Sequence, residues 1–324
     1  MLTVREACRD LMPFRQQLMA DPATMAYNAP WFPPDGCIPF PESQWDAFLS
    51  RTSGQEPAQW CGFLADEAGA PVGEISWHDF GKGIGIVIAS SQRGKGYGLA
   101  GLRLLVERAF SHSEITELCN DFESQRGAAL AIHKAAGFVP VGMKNGILHL
   151  RLTRERYEAL HRRHLLSLLT DAMCAFDAGD APRIHHFIKV HGFARQIGLA
   201  SGLDEGALFT LEAAAITHDI GIHPSEARYG DCTGPHQEEL GPIEAEPMLR
   251  ALGFPPPVVA RVCFLIAHHH TTANVAGIDW QILLEADFLV NMVEGKASLA
   301  AIRQAEEKLF HTPEGKKLLR CLVP

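Results

Sequence analysis

The sequence has no pair of cysteines at CxxC spacing. Its eight cysteines stand singly at 8, 37, 61, 119, 174, 232, 263 and 321. That excludes a zinc ribbon and, in a chain with this much core-forming sequence, a disulfide scaffold. They read as reduced, mostly buried thiols of a cytoplasmic protein. No apolar run approaches the roughly 20 residues of a membrane span. The opening stretch MLTVREACRDLMPFRQQ carries charge where a signal peptide has an apolar core, so it reads as mature sequence. Basic charge is in deficit, with 29 Lys and Arg against 38 Asp and Glu and a net charge of -9. This excludes a protein that coats a nucleic-acid polymer through a basic surface, and leaves room for a local basic pocket that takes a phosphate. Internal repeats and low-complexity tracts are also missing. What is present is globular sequence, 47% hydrophobic over 324 residues, enough for two domains with separate cores.

The two halves differ in texture. Up to about residue 155, short β-like runs (Trp60–Leu64, Pro71–Trp77, Gly83–Ala89, Ile147–Leu152) alternate with helical stretches (Leu99–Phe110, Gly127–Ala136), which predicts an α+β or α/β domain over 1–155. Beyond it, apolar residues recur at helical spacing in Tyr157–Phe176, Arg183–Ala200, Glu205–His218, Pro242–Leu252, Pro256–His268, Trp280–Val293 and Lys296–Phe310, which predicts an all-helical domain over 156–324. The stretch Thr153–Arg163 has no Gly or Pro and is charged, so the joint is expected to be helical.

Three elements of the second half carry metal-ligand chemistry. In RIHHFIKVH, residues 183–191, three histidines compete for one role. His186 shares a helical face with Val190, Phe193, Ala194 and Ile197, at offsets of 4, 7, 8 and 11. That face is otherwise apolar, so His186 points into the core, whereas His185 lies about 100° round the helix and His191 is also off the face. The apolar helix Leu211–Ile220 ends in the adjacent pair His218-Asp219, followed by Gly221. Asp287 stands in an otherwise apolar helix, and a buried carboxylate needs a cation or strong donors. Imidazole nitrogen with carboxylate oxygen suits transition-metal dications better than Ca.

This ordered set, H…HD…D on separate helices over roughly residues 165–295, resembles the HD superfamily of metal-dependent phosphohydrolases. The resemblance implies an all-α HD-type fold, a divalent ion (Mn, Fe, Zn, Ni, Co or Mg) on His186, His218, Asp219 and Asp287, and hydrolysis of a small, nucleotide-like phosphoester with Asp219 at the reacting centre. The run His268-His269-His270 falls between the HD pair and Asp287. Some HD subfamilies place histidines there for a second metal or a phosphate, which nominates His268 and His269; the alternative is a solvent-facing cluster favoured by a helix C-terminus. Arg183 and Lys189 are candidates for pairing with phosphate. Ile222 stands where HDxGK subfamilies have Lys, and no GYP follows the histidine run, which argues against a cyclic-di-GMP phosphodiesterase.

In the first half, Ile84–Ala89 runs into the glycine-rich stretch Ser90–Gly98 and then a helix, an arrangement that cradles a pyrophosphate. Gly96–Gly101 formally matches GxGxxG, but the polar stretch Ser90–Lys95 separates it from the strand, and no GK[ST] follows to make a Walker loop. RGKGYG, residues 93–98, is similar to the [RQ]xxGx[GA] loop of GNAT acetyltransferases, and Arg126–Phe138 with its ending HKAAGF resembles the second GNAT motif. Together they cover about residues 60–145. The resemblance implies a mixed, splayed sheet with helices, and acetyl-CoA bound by Ile86, Val87, Ile88, Arg93, Gly94, Lys95, Gly96, Tyr97, Gly98 and Asn120. It places His133 where many relatives have a Tyr general acid. Glu74 is the nominated general base, with His78 and Glu123 as alternatives. The Pro- and aromatic-rich segment Tyr27–Trp45 would be the acceptor side, for a small amine.

The expectation is a bifunctional enzyme, acetyltransferase and phosphohydrolase, with no nucleic-acid polymer or membrane as partner. The alternatives are a phosphohydrolase whose GNAT-like half only binds acyl-CoA, and a non-catalytic regulator with both sites degenerate.

Overall fold

Strand β2 (Trp60–Ala65) is buried at every position, and its residues alternate between two cores. Trp60 and Leu64 face one side, Cys61 and Phe63 the other, as the two-residue period of a strand requires. That alternation makes β2 a central strand with both faces covered. In the computed structural model, which describes residues 2–273 and 275–323, it lies between β1 (Thr3–Glu6) and β3 (Pro71–His78), and β4 (Gly83–Ile88) completes an antiparallel sheet of order β1-β2-β3-β4. Helices α1 (Met12–Ala20), α2 (Pro22–Asn28) and α3 (Trp45–Thr52) supply the core on the Phe63 face. Helix α4 (Tyr97–Phe110) lays Leu102, Leu105, Val106 and Ala109 on the other.

The second sheet has the order β5-β7-β6, formed by β5 (Glu117–Glu123), β6 (Val139–Lys144) and β7 (Ile147–Thr153), with α5 (Gly127–Ala135) between β5 and β6. Every ladder among the described residues is antiparallel, so the strand directions are not mixed within either sheet, as the resemblance implies they would be. β4 and β5 are edge strands of their respective sheets and lie beside one another without a ladder. The splay expected of the sheet is this gap.

The chain divides into compact units Met1–Leu160 and His161–Pro324, the division falling inside α6 (Arg154–Phe176). Met1, Asn274 and Pro324 lie outside the described residues. The second unit is helical: α7 (Ala181–Ala200), α8 (Glu205–Thr217), α9 (Ile222–Tyr229), α10 (Gly234–Ala251), α11 (Pro256–Ile266), α12 (Ile278–Glu294), α13 (Leu299–Lys308) and α14 (Pro313–Leu322). Helix α8 is buried from Leu208 to Thr217, which makes it the centre of the unit, with α7, α11 and α12 packed on it. Asp180, Asp204 and Thr312 accept bonds from the backbone N–H groups of Arg183, Ala207 and Gly315 and so fix the starts of α7, α8 and α14.

Helix α10 begins eight residues before the expected Pro242 (242 − 234) and carries Pro242 and Pro247 inside it. Close packing outweighs the helix-breaking tendency there. Gly241 is seated against Ile266, and a methyl on Gly221 would meet the Gln237 carbonyl oxygen at 2.6 Å. Helices α1–α3, α9 and α14 and strands β1, β5 and β6 go beyond the elements read from the sequence. No helix among the described residues is long and apolar enough to cross a membrane.

Candidate functional sites

In the helical unit, α7, the C-terminal end of α8, α12 and the turn that follows α11 bring their polar residues together. His186 is buried on the face it shares with Val190, Ala194 and Ile197, while His185 is exposed and His191 bonds Glu212 at 2.9 Å. His218 is fully buried at the C-cap of α8, where the turn lets Asp219 face the same point. The His186 and His218 Nε2 atoms are 3.3 Å apart. Asp287 Oδ1 lies 3.1 Å from the first and 3.5 Å from the second, and Asp219 Oδ2 3.5 Å from each. The other Asp219 oxygen, Oδ1, lies 3.4 Å from His269 Nε2.

The far side of each imidazole fixes its tautomer. His186 Nδ1 donates to Glu294 Oε2 at 2.9 Å, His218 Nδ1 to the Ala215 carbonyl at 2.9 Å and His269 Nδ1 to the Ile266 carbonyl at 2.7 Å. With each Nδ1–H spent outward, three Nε2 atoms point inward, each able to carry a proton or to bind a cation, and the buried His269 Nε2 has no hydrogen-bond partner. Lone pairs at 3.3 Å repel unless a proton or a cation stands between them. Burial pulls His218 down, but Asp219 and Asp287 outweigh it and hold it at about 9. Burial pushes Asp219 and Asp287 up; His218 brings Asp219 down to about 2, and hydrogen bonds from His186 and His218 hold Asp287 well below the usual carboxylate range. The cluster is built to surround positive charge. The His186 and His218 Nε2 atoms with the Asp219 and Asp287 carboxylates fit a borderline transition-metal dication, and His269 stands on the other side of Asp219.

Glu294 and Asn291 go beyond the residues nominated from the sequence, as does His270 of the histidine run. Glu294 holds His186 and is itself held by Lys189 Nζ at 2.9 Å; Asn291 Nδ2 donates to Asp287 Oδ1 at 2.8 Å. Asp287, Asn291 and Glu294 fall at spacings of four and seven on α12, one polar stripe on an apolar helix, which is a readable signal. His270 joins Asp219 and His269 as a second group of possible ligands. The nominated His268 goes elsewhere. Its Nδ1 donates to the Phe264 carbonyl at 2.7 Å, and its ring packs on Phe264 and Trp280. Helix α11 stops at Ile266, so helical phase does not carry through the histidine run. Arg183 is engaged by Asp180 and Glu226, both at 2.9 Å.

In the first unit, a cavity of about 700 Å³ opens in the gap between the edges of β4 and β5. All the residues nominated for acetyl-CoA line it except Lys95, whose Nζ donates to Gln92 Oε1 at 2.8 Å. Gly94 and Gly96 have φ of 80° and 82°, the left-handed region that favours glycine, and the space where a Cβ would stand is open. No side chain caps α4, so the first-turn N–H groups remain available to a ligand.

The nominated acid and base are not free at this cavity. His133 lines it but is buried; its Nδ1 donates to the Ala129 carbonyl at 2.8 Å and its Nε2 accepts from Asn120 Nδ2 at 2.9 Å. Burial lowers its pKa, so it is a neutral imidazole with both nitrogens in use and no proton to give at Nε2. Glu74 is buried in the sheet interior and does not line the cavity; Arg15 Nε meets its Oε2 at 2.7 Å, and the Arg15 guanidinium lies over the Phe40 and Phe48 rings. Of the alternatives for the base, Glu123 pairs with Arg126 at 3.6 Å, and the His78 ring packs on Gly83.

Family models match both halves: an acetyltransferase (GNAT) domain over residues 2–139 and an HD domain over 183–311. The chain is a fusion of a GNAT acetyltransferase domain with an HD domain. Both domains belong to families of enzymes, the HD superfamily being one of metal-dependent phosphohydrolases. Among solved structures, spermidine N-acetyltransferase from Vibrio cholerae in complex with CoA and spermine is 16% identical, with a TM-score of 0.41 over 48% of this chain and 98% of that one. The spermidine/spermine N-acetyltransferase of the same organism in complex with manganese ions is 14% identical, with a TM-score of 0.38 over 48% and 95%. No curated protein matches the chain.

Proposed function

We propose that the HD domain hydrolyses a small, nucleotide-like phosphoester with a divalent ion held by His186, His218, Asp219 and Asp287. The observation that carries this reading is the inward convergence of three Nε2 atoms on two carboxylates, each imidazole locked from behind. A bound cation would polarise a phosphoryl oxygen and lower the pKa of its water. The protein's own part is orientation. Glu294 and the Ala215 carbonyl fix the His186 and His218 rings, and Asn291 fixes Asp287. Asp219 offers one oxygen to the His186–His218 side and the other to His269, and Asp219, His269 and His270 would be the residues to hold a second ion. The test is metal analysis of the purified protein with a phosphatase screen over nucleotides. His218→Ala should lose both metal and activity; a variant that retains both overturns the reading.

For the GNAT domain we propose an acetyl-CoA site in the cavity. The unpaired edge of β4 at Ile86–Ile88 would bond the pantetheine as an added strand, and the N–H groups of Gly94–Gly98 would hold the pyrophosphate. Transfer of the acetyl group to a small amine is the first reading. A second, acyl-CoA binding without transfer, is favoured by the engaged state of His133 and Glu74. Titration with acetyl-CoA followed by an amine screen separates them; the absence of any acetyl-CoA binding overturns both.

A further inference from the structure

The cofactor loop is tied to the helix that forms another wall of the same cavity. Ser90 N–H donates to Thr24 Oγ1 at 2.8 Å, and Ser90 Oγ to Asp21 Oδ2 at 2.9 Å. The Arg93 guanidinium reaches away from the loop, donating from Nη1 to the Ala23 carbonyl at 3.2 Å and from Nη2 to the Thr24 carbonyl at 2.9 Å. It also stands over the Tyr27 ring, 5.1 Å from the centroid, and the Arg126 guanidinium lies 4.5 Å from the same ring. Tyr27 and Trp31, from α2 and the residues just after it, line the cavity together with Gly94, Gly96, Tyr97 and Gly98. The two parts of Arg93 therefore do different things. Its backbone belongs to the loop, and its planar fork is committed to α2.

We propose that Arg93 is a positioning residue that couples the cofactor loop to the acceptor wall, so that occupation of the loop fixes Tyr27 and Trp31 and completes the acceptor pocket. This rests on reading the cavity as the acetyl-CoA site. The physical basis is that two glycines at positive φ allow the loop more than one conformation, and a ligand on its N–H groups would select one of them. Arg93 and Ser90 convey that change to one short helix. Lysine cannot replace the arginine, because a single ammonium does not span two carbonyls and stack on a ring at once. Amine binding then follows cofactor binding.

Hydrogen exchange with CoA as the probe tests this without knowledge of the amine. In the wild-type protein, saturating CoA is expected to slow exchange both in Gly94–Leu99 and in residues 21–31. In Arg93→Lys, saturating CoA still slows Gly94–Leu99, and the slowing of 21–31 is lost. A merely structural Arg93 would speed exchange in 21–31 by the same factor with and without CoA and leave the CoA-dependent ratio intact, which overturns the proposal. Loss of protection in both segments also overturns it, because Arg93 would then be holding the cofactor itself. Tyr27→Leu, which removes only the stacked ring, serves if the lysine variant fails to fold, and is expected to weaken protection of 21–31 alone; full protection there counts against the coupling. Wild-type protein that binds no CoA overturns the acetyl-CoA reading as well, an outcome distinct from binding without protection of 21–31.

Discussion

At the scale of single residues, the proposed metal cluster depends on groups that would never touch the ion. Glu294 accepts the Nδ1 proton of His186 and is held in turn by Lys189. Glu294→Gln weakens that hold, and metal affinity, measured by competition with a chelator, should fall by about 10–100-fold; unchanged affinity would mean that helix packing alone orients His186. The cluster also makes a prediction about pH. Asp219 and Asp287 outweigh burial and raise His218 to about 9 in the metal-free protein. A raised histidine gives stability that is fully present below its unfolded value of 6.5 and is lost as pH rises through about 9. The melting temperature of chelator-treated protein should therefore fall between pH 6.5 and about 9, and His218→Ala should abolish that slope. Metal-loaded protein should not show the fall, because the cation takes the proton's place. A flat profile for the stripped protein would show that the facing lone pairs hold no proton.

At the scale of elements, α14 depends on one buried carboxylate. Glu285 accepts from the backbone N–H groups of His311 and Thr312, at 2.7 and 2.9 Å, and from the Thr312 hydroxyl, and it packs directly on Gly315. A methyl at 315 would overlap that carboxylate, so Gly315→Ala should cost about 1–3 kcal/mol of unfolding free energy in denaturant titrations. A neutral result would mean that the first turn of α14 can shift freely. Nothing in the local sequence announces this arrangement, since Glu285 reads as one more residue of an apolar helix. The same limit explains what else was legible. The inward face of His186 and the main helices are legible because an apolar face repeats with the helical period, and the turn at Gly94 and Gly96 because glycine at positive φ leaves a mark in sequence. His268 falls outside the cluster because α11 ends before it, and α10 runs through two prolines that read in sequence as a helix start, with Gly221 and Ile266 packed closely against it. The engagement of His133 by Asn120 and of Glu74 by Arg15 joins residues 13 and 59 apart in sequence, beyond any periodic signal.

At the scale of the whole molecule, the two units bury separate cores. One is built on α7, α8, α11 and α12, and the others on the two faces of the β1–β4 sheet. Each unit also has its own candidate ligand, a divalent cation in one and CoA in the other. A ligand that binds only the folded state stabilises the unit that holds it, by about 2.7 kcal/mol when present at a hundred times its dissociation constant. Scanning calorimetry of the full chain should therefore resolve two transitions. Mn(II) added to chelator-treated protein should raise one of them and CoA the other, with both raised when both ligands are present. His218→Ala should remove the response to Mn(II) and leave the response to CoA. Gly96→Ala, which forces a side chain into the left-handed conformation at the loop, should do the reverse. A single transition that moves with either ligand would show the two cores melting as one cooperative unit, and would refute their independence even if both sites were correctly assigned.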